Sequence, residues 1–302
     1  MDDDPIGPNA AQRAEWNGAS GARWLSNQAR LEAALLPFGA AAMEAALPRP
    51  GERVLDVGCG CGPTTLELAR RVGANADGEP NGGAVTGIDI SAQLIDEARR
   101  RAATAGLEVR FLCADAATEP FPADAFELLF SRFGLMFFDD PPSGFGHLRQ
   151  ALRAGGRLTF VCWRGPADNP WLTLPLVAAA PLLAAEPASD PDAPGPFALA
   201  RAERIRSVLA QAGFAAHSIT PFDAPMRIGR GATVDAALDD AVAHATLTGP
   251  LARRLPDIAE PERGHMLAAV RAALTPHARA MDGERGAEVS LPAAAWIVQA
   301  RP

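Results

Sequence analysis

A chain of 302 residues, 48% hydrophobic and 21% charged, is long enough for one large domain or for a core carrying a lid. Its formal net charge of −8 argues against a nucleic-acid footprint, and all 28 basic residues are arginine. Lysine and tyrosine are both absent, which excludes Schiff-base, lysine-base and tyrosine-base mechanisms and also a P-loop.

Four cysteines, Cys59, Cys61, Cys113 and Cys162, form no C-x-x-C pair and read as small apolar or ligand-lining residues, with no metal expected. The acidic start MDDDP lacks the basic segment of a signal peptide. The longest apolar runs are interrupted by proline and are too short to span a bilayer. A cytoplasmic protein without a membrane span is expected.

Residues 1–20 are polar and read as a mobile start. Residues 22–36 carry an amphipathic helical pattern with Leu25, Leu31, Leu35 and Leu36 inward, and 38–47 read as a second helix. The run RVLDVGCGCGPTTLELA (53–69) then changes character. Val54 to Val57 is a short apolar strand with Asp56 near its end. Gly58, Gly60 and Gly62 form a loop, and Leu66, Leu68 and Ala69 fit a helical face. Strand, glycine loop and helix open a Rossmann-like unit, whose glycines permit a sharp turn and a close backbone approach to a ligand. The spacing is G-x-G-x-G, not the G-x-G-x-x-G of dinucleotide sites. Pro63 suits the first helical position but removes an N–H that a phosphate would use.

The segment VLDVGCGCG (54–62) resembles the first motif of class I S-adenosylmethionine (SAM) dependent methyltransferases, where an acid precedes G-x-G-x-G. The resemblance assigns Asp56, Gly58, Cys59 and Gly60 to the cofactor. In that family an N-terminal segment often folds over the cofactor, which makes Trp16 and Trp24 candidates to cover its methionine part. The alternative is that both tryptophans staple helices to the core.

Residues 85–90 form a second strand ending in Asp89 and Ile90, followed by Ser91 as N-cap of a helix over 92–105. An acid at this strand end can accept hydrogen bonds from both ribose hydroxyls; a surface strand-end carboxylate is the alternative for Asp89. Its distance from the loop exceeds the usual gap of about 20 residues because a Gly-rich polar loop, 73–83, intervenes. A third strand, 107–113, ends in Ala114, Asp115 and Ala116. The resemblance makes this the adenine site, with Asp115 accepting from the exocyclic amine and the Ala116 backbone meeting the ring; a turn cap is the alternative for Asp115.

The run EPFPADAFELLFS (119–131) holds a fourth strand at 126–131 and matches a further family pattern, with Glu127 where aspartate is usual. Ser131 and Arg132 follow at the carboxyl edge of the sheet, where ligands of open α/β sheets bind. Ser131 is assigned to the cofactor. Arg132 reads as a carboxylate partner or a surface residue, and Phe133, Met136, Phe137 and Phe138 as lining of the methyl-transfer pocket or as core. A helix over 143–153, a turn at Gly155-Gly156 and a strand over 157–163 follow. The segment LRQALRAGGRL (148–158) resembles the last core motif of the same family. His147 on that helix reads as structural.

The expected fold is therefore α/β: a Rossmann-like, doubly wound, mostly parallel seven-stranded sheet with a helical N-terminal segment and helical lid insertions. Beyond the core, 165–200 is partly helical and then proline-rich, 201–212 is a helix, and 215–222 a sixth strand. Residues 233–274 are helical, interrupted at Gly249-Pro250 and Pro256, and 289–300 form a final strand, antiparallel and at or near an edge. The expected divisions are a cap at 1–50, a cofactor core at 51–164, a lid insertion at 165–200, core at 201–228, a second lid at 229–280 and a final core strand at 281–302.

The chain resembles the ubiquinone/menaquinone-biosynthesis type of methyltransferase. The resemblance implies SAM as cofactor and methyl transfer to a small apolar or aromatic acceptor, with O- or C-methylation favoured. The protein would act mainly by alignment and exclusion of water. His244 and His265, in the second insertion, are the available imidazoles, each with an ordinary helix position as its alternative, so no base is assigned. Three other readings stand beside this one: a non-catalytic SAM-binding or partner protein, a SAM-using enzyme of different chemistry, and an NAD(P) oxidoreductase, which Pro63 and the glycine spacing disfavour. The expected partner is a small-molecule acceptor and no nucleic acid, with a homodimer left open.

Overall fold

The computed structural model describes residues 7–73, 82–183, 190–247, 249–255, 258–281 and 286–302. Five parallel strands carry the cleft: β1 (Arg53–Val57), β2 (Ala84–Asp89), β3 (Arg110–Cys113), β4 (Phe126–Arg132) and β5 (Leu152–Trp163). With β6 (Ala216–Gly231) and β8 (Ala287–Arg301) they form one sheet in the order β3-β2-β1-β4-β5-β8-β6. This is the expected seven-stranded path, and a short β7 (Ala278–Ala280) adds an eighth strand that pairs only with β8. From β1 the chain winds outward through β2 and β3, then returns to lay β4 and β5 on the other side. The reversal leaves a crevice beyond the carboxyl ends of β1 and β4, the usual ligand position in such sheets.

The central strands are buried on both faces, which explains their near-continuous apolar runs. Val54, Leu55 and Asp56 are fully buried, and so are Leu128, Leu129 and Phe130. Glu127 is the departure. Its Oε2 accepts from the backbone N–H of Arg53 at 2.6 Å, and Arg153 pairs with its Oε1 at 3.1 Å. The longer carboxylate thus pins the starts of β1, β4 and β5 together.

The N-terminal expectations need correction. Three helices precede β1: α1 (Ala10–Asn17), α2 (Ala19–Ser26) and α3 (Gln28–Ala46). The first of them lies within the segment expected to be a mobile start, and Asn9 before it is only 3% exposed. The break expected between 36 and 38 is also absent: α3 runs through Pro37, and the chain bends at Asn27 instead. Leu31, Ala34, Leu35, Phe38, Ala42, Met43 and Ala46 form one continuous buried face across Pro37. An interior proline costs about 3 kcal/mol, whereas each large buried side chain contributes about 1.5–3 kcal/mol, so packing outweighs the lost hydrogen bond.

Helix α4 (Pro63–Val72) begins at Pro63, α5 (Ala92–Ala105) follows Ser91, and α6 (Pro141–Ala151) leads into β5. The third strand is shorter than expected, because Leu107 and Val109 pack beneath α5 without pairing in the sheet. Gly155 and Gly156 do not separate helix from strand: they sit inside β5, where its pairing with β4 shifts register.

After β5 the chain adds α7 (Pro170–Ala179) and α8 (Ala202–Gln211), and between β6 and β7 it adds α9 (Val234–Ala245), α10 (Gly249–Arg254) and α11 (Glu262–Leu274). Pro256 and residues 74–81, within the expected Gly-rich loop, lie outside the described residues. β6 and β8 pair from Ala216↔Arg301 to Gly231↔Ala287, well past the expected strand ends. β8 is antiparallel as expected, and one strand in from the edge. Its Pro292 faces Pro225 of β6, in a stretch where β8 pairs with neither β5 nor β7. There the fully buried Asn169 side chain takes over the ladder: Nδ2 donates to the Ala294 carbonyl and Oδ1 accepts from the Ala294 N–H, both at 3.0 Å.

Candidate functional site

At the end of β1 the chain turns at Gly58 (φ 68°), and the N–H groups of Gly58 and Cys59 both donate to the Ile88 carbonyl, at 2.8 and 3.1 Å. Gly58 crosses Gly134 so closely that a Cβ on Gly58 would lie 2.7 Å from the Gly134 Cα. Ser131 locks the crossing. Its hydroxyl donates to the Val57 carbonyl at 2.7 Å and accepts from the Gly134 N–H at 3.2 Å. Phe133, between them, holds φ 60°. That left-handed conformation costs a non-glycine residue about 1–3 kcal/mol, and here it accompanies a ring stacked on Trp163 at 4.1 Å between centroids.

Three acids surround the loop. Asp56 is fully buried beneath it, and its Oδ2 accepts from the hydroxyls of Thr64 and Thr65, both at 2.7 Å. Its Oδ1 has no partner among the described residues, and burial pushes the carboxyl up to about 6 against the pull of those hydroxyls and of Arg132. Asp89 accepts from the Gly60 N–H at 2.8 Å and the Ser91 N–H at 2.9 Å. Burial raises its pKa, and these backbone donors oppose the rise. Asp115 accepts from the Ala117 N–H at 2.9 Å, and both its oxygens accept from the Asn9 amide at 2.9 Å. Asn9 is fixed in turn by Asp139, whose N–H donates to its Oδ1 at 2.7 Å.

A cavity of about 440 Å³ joins these parts. Gly58, Cys59, Gly60, Asp89, Ile90, Asp115, Ala116, Arg132, Phe133, Met136 and Phe137 all line it, as do Trp16 and Trp24 from the N-terminal helices. Trp16 packs edge-on against both Trp24 and Phe137. Asp56 and Ser131 do not line the cavity; they brace the backbone that does. Sequence reasoning missed an apolar part of the lining, which includes Trp163, Trp171, Leu172 and Met226. Trp163 carried a usable signal, since it ends a core strand at the ligand edge. Trp171 is aimed by Asn169, which accepts from its Nε1 at 3.0 Å. Asn9 carried no signal at all.

Two cavity residues are electrically conspicuous. Arg132 makes no side-chain hydrogen bond or ion pair among the described residues, and burial lowers its pKa while Glu32 and Asp56 oppose that. Its stem passes Gly39 of α3, where a Cβ would approach the Arg132 Cδ to 3.0 Å. His244, on α9, is 2% exposed, and neither ring nitrogen has a partner among the described residues. Burial, then the Arg30 charge, pushes its pKa down to about 4, so the ring is neutral. An unsatisfied buried group of this kind costs about 1–3 kcal/mol. His265 is exposed on α11 and does not line the cavity.

The donor set fits a SAM-shaped ligand. The lining offers two carboxylates, Asp89 and Asp115, as acceptors, the backbone of the glycine loop, and the Arg132 cation, which has no ion-pair partner among the described residues. A Cβ on Gly60 would meet nothing within 4 Å, so that stretch of loop faces open space.

Comparisons with known proteins agree. A family profile for methyltransferase domains matches residues 54–156. The aklanonic acid methyltransferase DauC of Streptomyces sp. (strain C5) is 35% identical over 126 residues, covering 41% of this chain and 54% of that protein. The demethylmenaquinone methyltransferase of Thermus thermophilus is 38% identical over 133 residues, covering 42% of this chain and 57% of that protein. The chain thus spans about half the length of these curated relatives. Among solved structures, the YcgJ protein of Bacillus subtilis matches with a TM-score of 0.55 at 17% identity, over 87% of this chain and 96% of that one. Phosphoethanolamine N-methyltransferase 2 of Haemonchus contortus, in complex with S-adenosyl-L-methionine, also reaches 0.55, at 14% identity, over 96% of this chain and 60% of that one. Such identities show a shared fold and nothing finer. No helix among the described residues is long and apolar enough to cross a membrane. Residues 54–156 thus match a methyltransferase domain in sequence, and the chain shares its fold with the YcgJ protein.

Proposed function

We propose that the whole chain transfers the methyl group of SAM to a small, apolar or aromatic acceptor. One observation carries this reading. A single cavity runs from the acids Asp115 and Asp89, past the glycine loop, to an aromatic wall that includes Phe133, Trp163 and Trp171. A non-catalytic cofactor binder has no use for that second, apolar half.

In this reading Asp115 and the Ala116 backbone hold the adenine, and Asp89 with Ile90 holds the ribose. The Gly58–Gly60 backbone and Cys59 face the sulfur end, and Arg132 meets the carboxylate of the amino-acid tail. Trp16 and Trp24 cover it. Asp56 and Ser131 act at one remove, by holding the loop. SAM supplies an already activated methyl group. The protein's part is to align the acceptor and to exclude water. Phe133, Met136 and Phe137 flank the acceptor, and the described parts of the segments 165–200 and 229–280 close over it as lids. A cytoplasmic setting belongs to the same reading, and four free thiols fit it.

The first test is calorimetric titration of the full-length chain with SAM and with its demethylated product, S-adenosylhomocysteine, beside NADH. Binding of the two sulfur compounds alone is expected, followed by transfer of labelled methyl to an apolar acceptor. Binding of NADH in preference to both removes the reading.

A further inference from the structure

The cavity is lined by a neutral polar side chain with no hydrogen-bond partner among the described residues. His244 lies in the last turn of α9, almost fully buried, with both imidazole nitrogens unpartnered and the ring on the cavity wall. The charged groups that face it are Arg30, from α3, and Asp240, one turn earlier on α9. These two are paired with each other, and Arg30 also donates to the Asp240 backbone carbonyl at 2.9 Å. Neither holds the ring. Buried polar groups are normally hydrogen-bonded, so an exception needs an explanation. The tautomer of a histidine is set by the bond its other nitrogen makes, and the described residues make no such bond to His244. Either nitrogen is free to accept.

We propose that His244 accepts the hydroxyl proton of the methyl acceptor, which makes the acceptor a phenol or enol and the reaction an O-methylation. This deepens the methyl-transfer reading and rests on it. The bookkeeping closes. The acceptor's oxygen–hydrogen bond breaks and its proton passes to an imidazole nitrogen. A bond forms from that oxygen to the methyl carbon, the sulfur–methyl bond breaks, and its electron pair stays on sulfur, leaving a neutral thioether. One positive charge leaves the sulfonium as one appears on the imidazole. The total charge of the cavity is therefore unchanged, and burial opposes charging of His244 less than it would in an empty cavity. The surroundings suit a flat acceptor: Phe133 and Trp163 are stacked, and Trp171 lies tilted against Trp163 at 5.0 Å.

The test uses the full-length protein loaded with S-adenosylhomocysteine and two fluorinated probes, 4-fluorophenol and its methyl ether 4-fluoroanisole, read by 19F NMR. Wild type is expected to hold the phenol about tenfold more tightly than the ether. His244→Ala is expected to lose that preference while binding S-adenosylhomocysteine as wild type does, which also shows that it folds. His244→Gln, which keeps an acceptor that cannot take a proton, should retain the preference. With labelled SAM, both variants should transfer methyl to 4-fluorophenol about 100-fold more slowly than wild type. Pentafluorophenol, largely ionised at neutral pH, should be spared. Equal affinity of wild type for phenol and ether, or no binding of either, overturns the proposal. So does undiminished transfer to 4-fluorophenol by His244→Ala. Failure of wild type to bind S-adenosylhomocysteine at all would instead overturn the underlying reading.

Discussion

At the scale of single residues, buried charge is the most informative feature. Arg132 enters the cavity without a carboxylate partner among the described residues, and a cation so placed awaits an anion. S-Adenosylhomocysteine carries a carboxylate that methylthioadenosine lacks. Arg132→Gln is therefore expected to weaken S-adenosylhomocysteine about 10- to 100-fold, the worth of a charge-assisted pair, and to leave methylthioadenosine unchanged. Equal losses for both would mean a collapsed site, and no loss for either would reassign Arg132 to the acceptor. Asp56 makes a different prediction. Burial raises its pKa from 3.8 to about 6. Below about pH 4 the carboxyl is protonated both folded and unfolded and costs nothing. Between the two values the folded state binds the extra proton, so this group's contribution falls as pH rises, and above about pH 6 the full penalty stands. Wild type should lose on the order of 3 kcal/mol relative to Asp56→Asn across that window, measured by denaturant unfolding of each protein at pH 4 and pH 6.5. A parallel pair of curves would refute the assignment. Both residues were readable in the sequence as types at strand ends. Their states were not, because desolvation depends on what packs above them.

At the scale of elements, the glycine loop separates stability from binding. Gly58 meets backbone, with positive φ and the Gly134 Cα in the way of any Cβ, whereas Gly60 faces open cavity. Gly58→Ala should therefore cost about 2–4 kcal/mol in denaturant unfolding. Gly60→Ala should cost about 1 kcal/mol and weaken S-adenosylhomocysteine by calorimetry. A Gly60→Ala protein that binds like wild type would remove the close backbone approach from the account. The strand–loop–helix was legible because glycine spacing, Pro63 and the apolar run are all local signals. The same local logic misplaced the N-terminal break. Pro37 is a strong breaker, but the buried face of α3 spans it.

At the scale of the molecule, the insertion helices are tied to the N-terminal cap. Arg30 of α3 pairs with Asp240 of α9, and Asp240 also accepts from the Arg230 N–H at 2.9 Å. Arg30→Met should cost about 1 kcal/mol and should speed amide hydrogen exchange in α9 while β1 and β4 keep their protection. Uniformly faster exchange would show that the tether belongs to the global fold and not to a separable lid.

The sequence by itself determined the core of the sheet and the carboxyl edge at which the glycine loop turns, because these rest on short-range patterns: apolar runs, glycine spacing, and acids at strand ends. The tertiary structure alone decided which residues complete the cavity. Asn9 reaches Asp115 across 106 residues and Asn169 reaches β8 across 125, and no local pattern encodes contacts of that span. His244 and His265 occupy similar helical stretches of one insertion, yet one is sealed against the cavity and the other faces solvent. Helical periodicity says that a helix has an inner face. What that face meets is set by packing between distant segments.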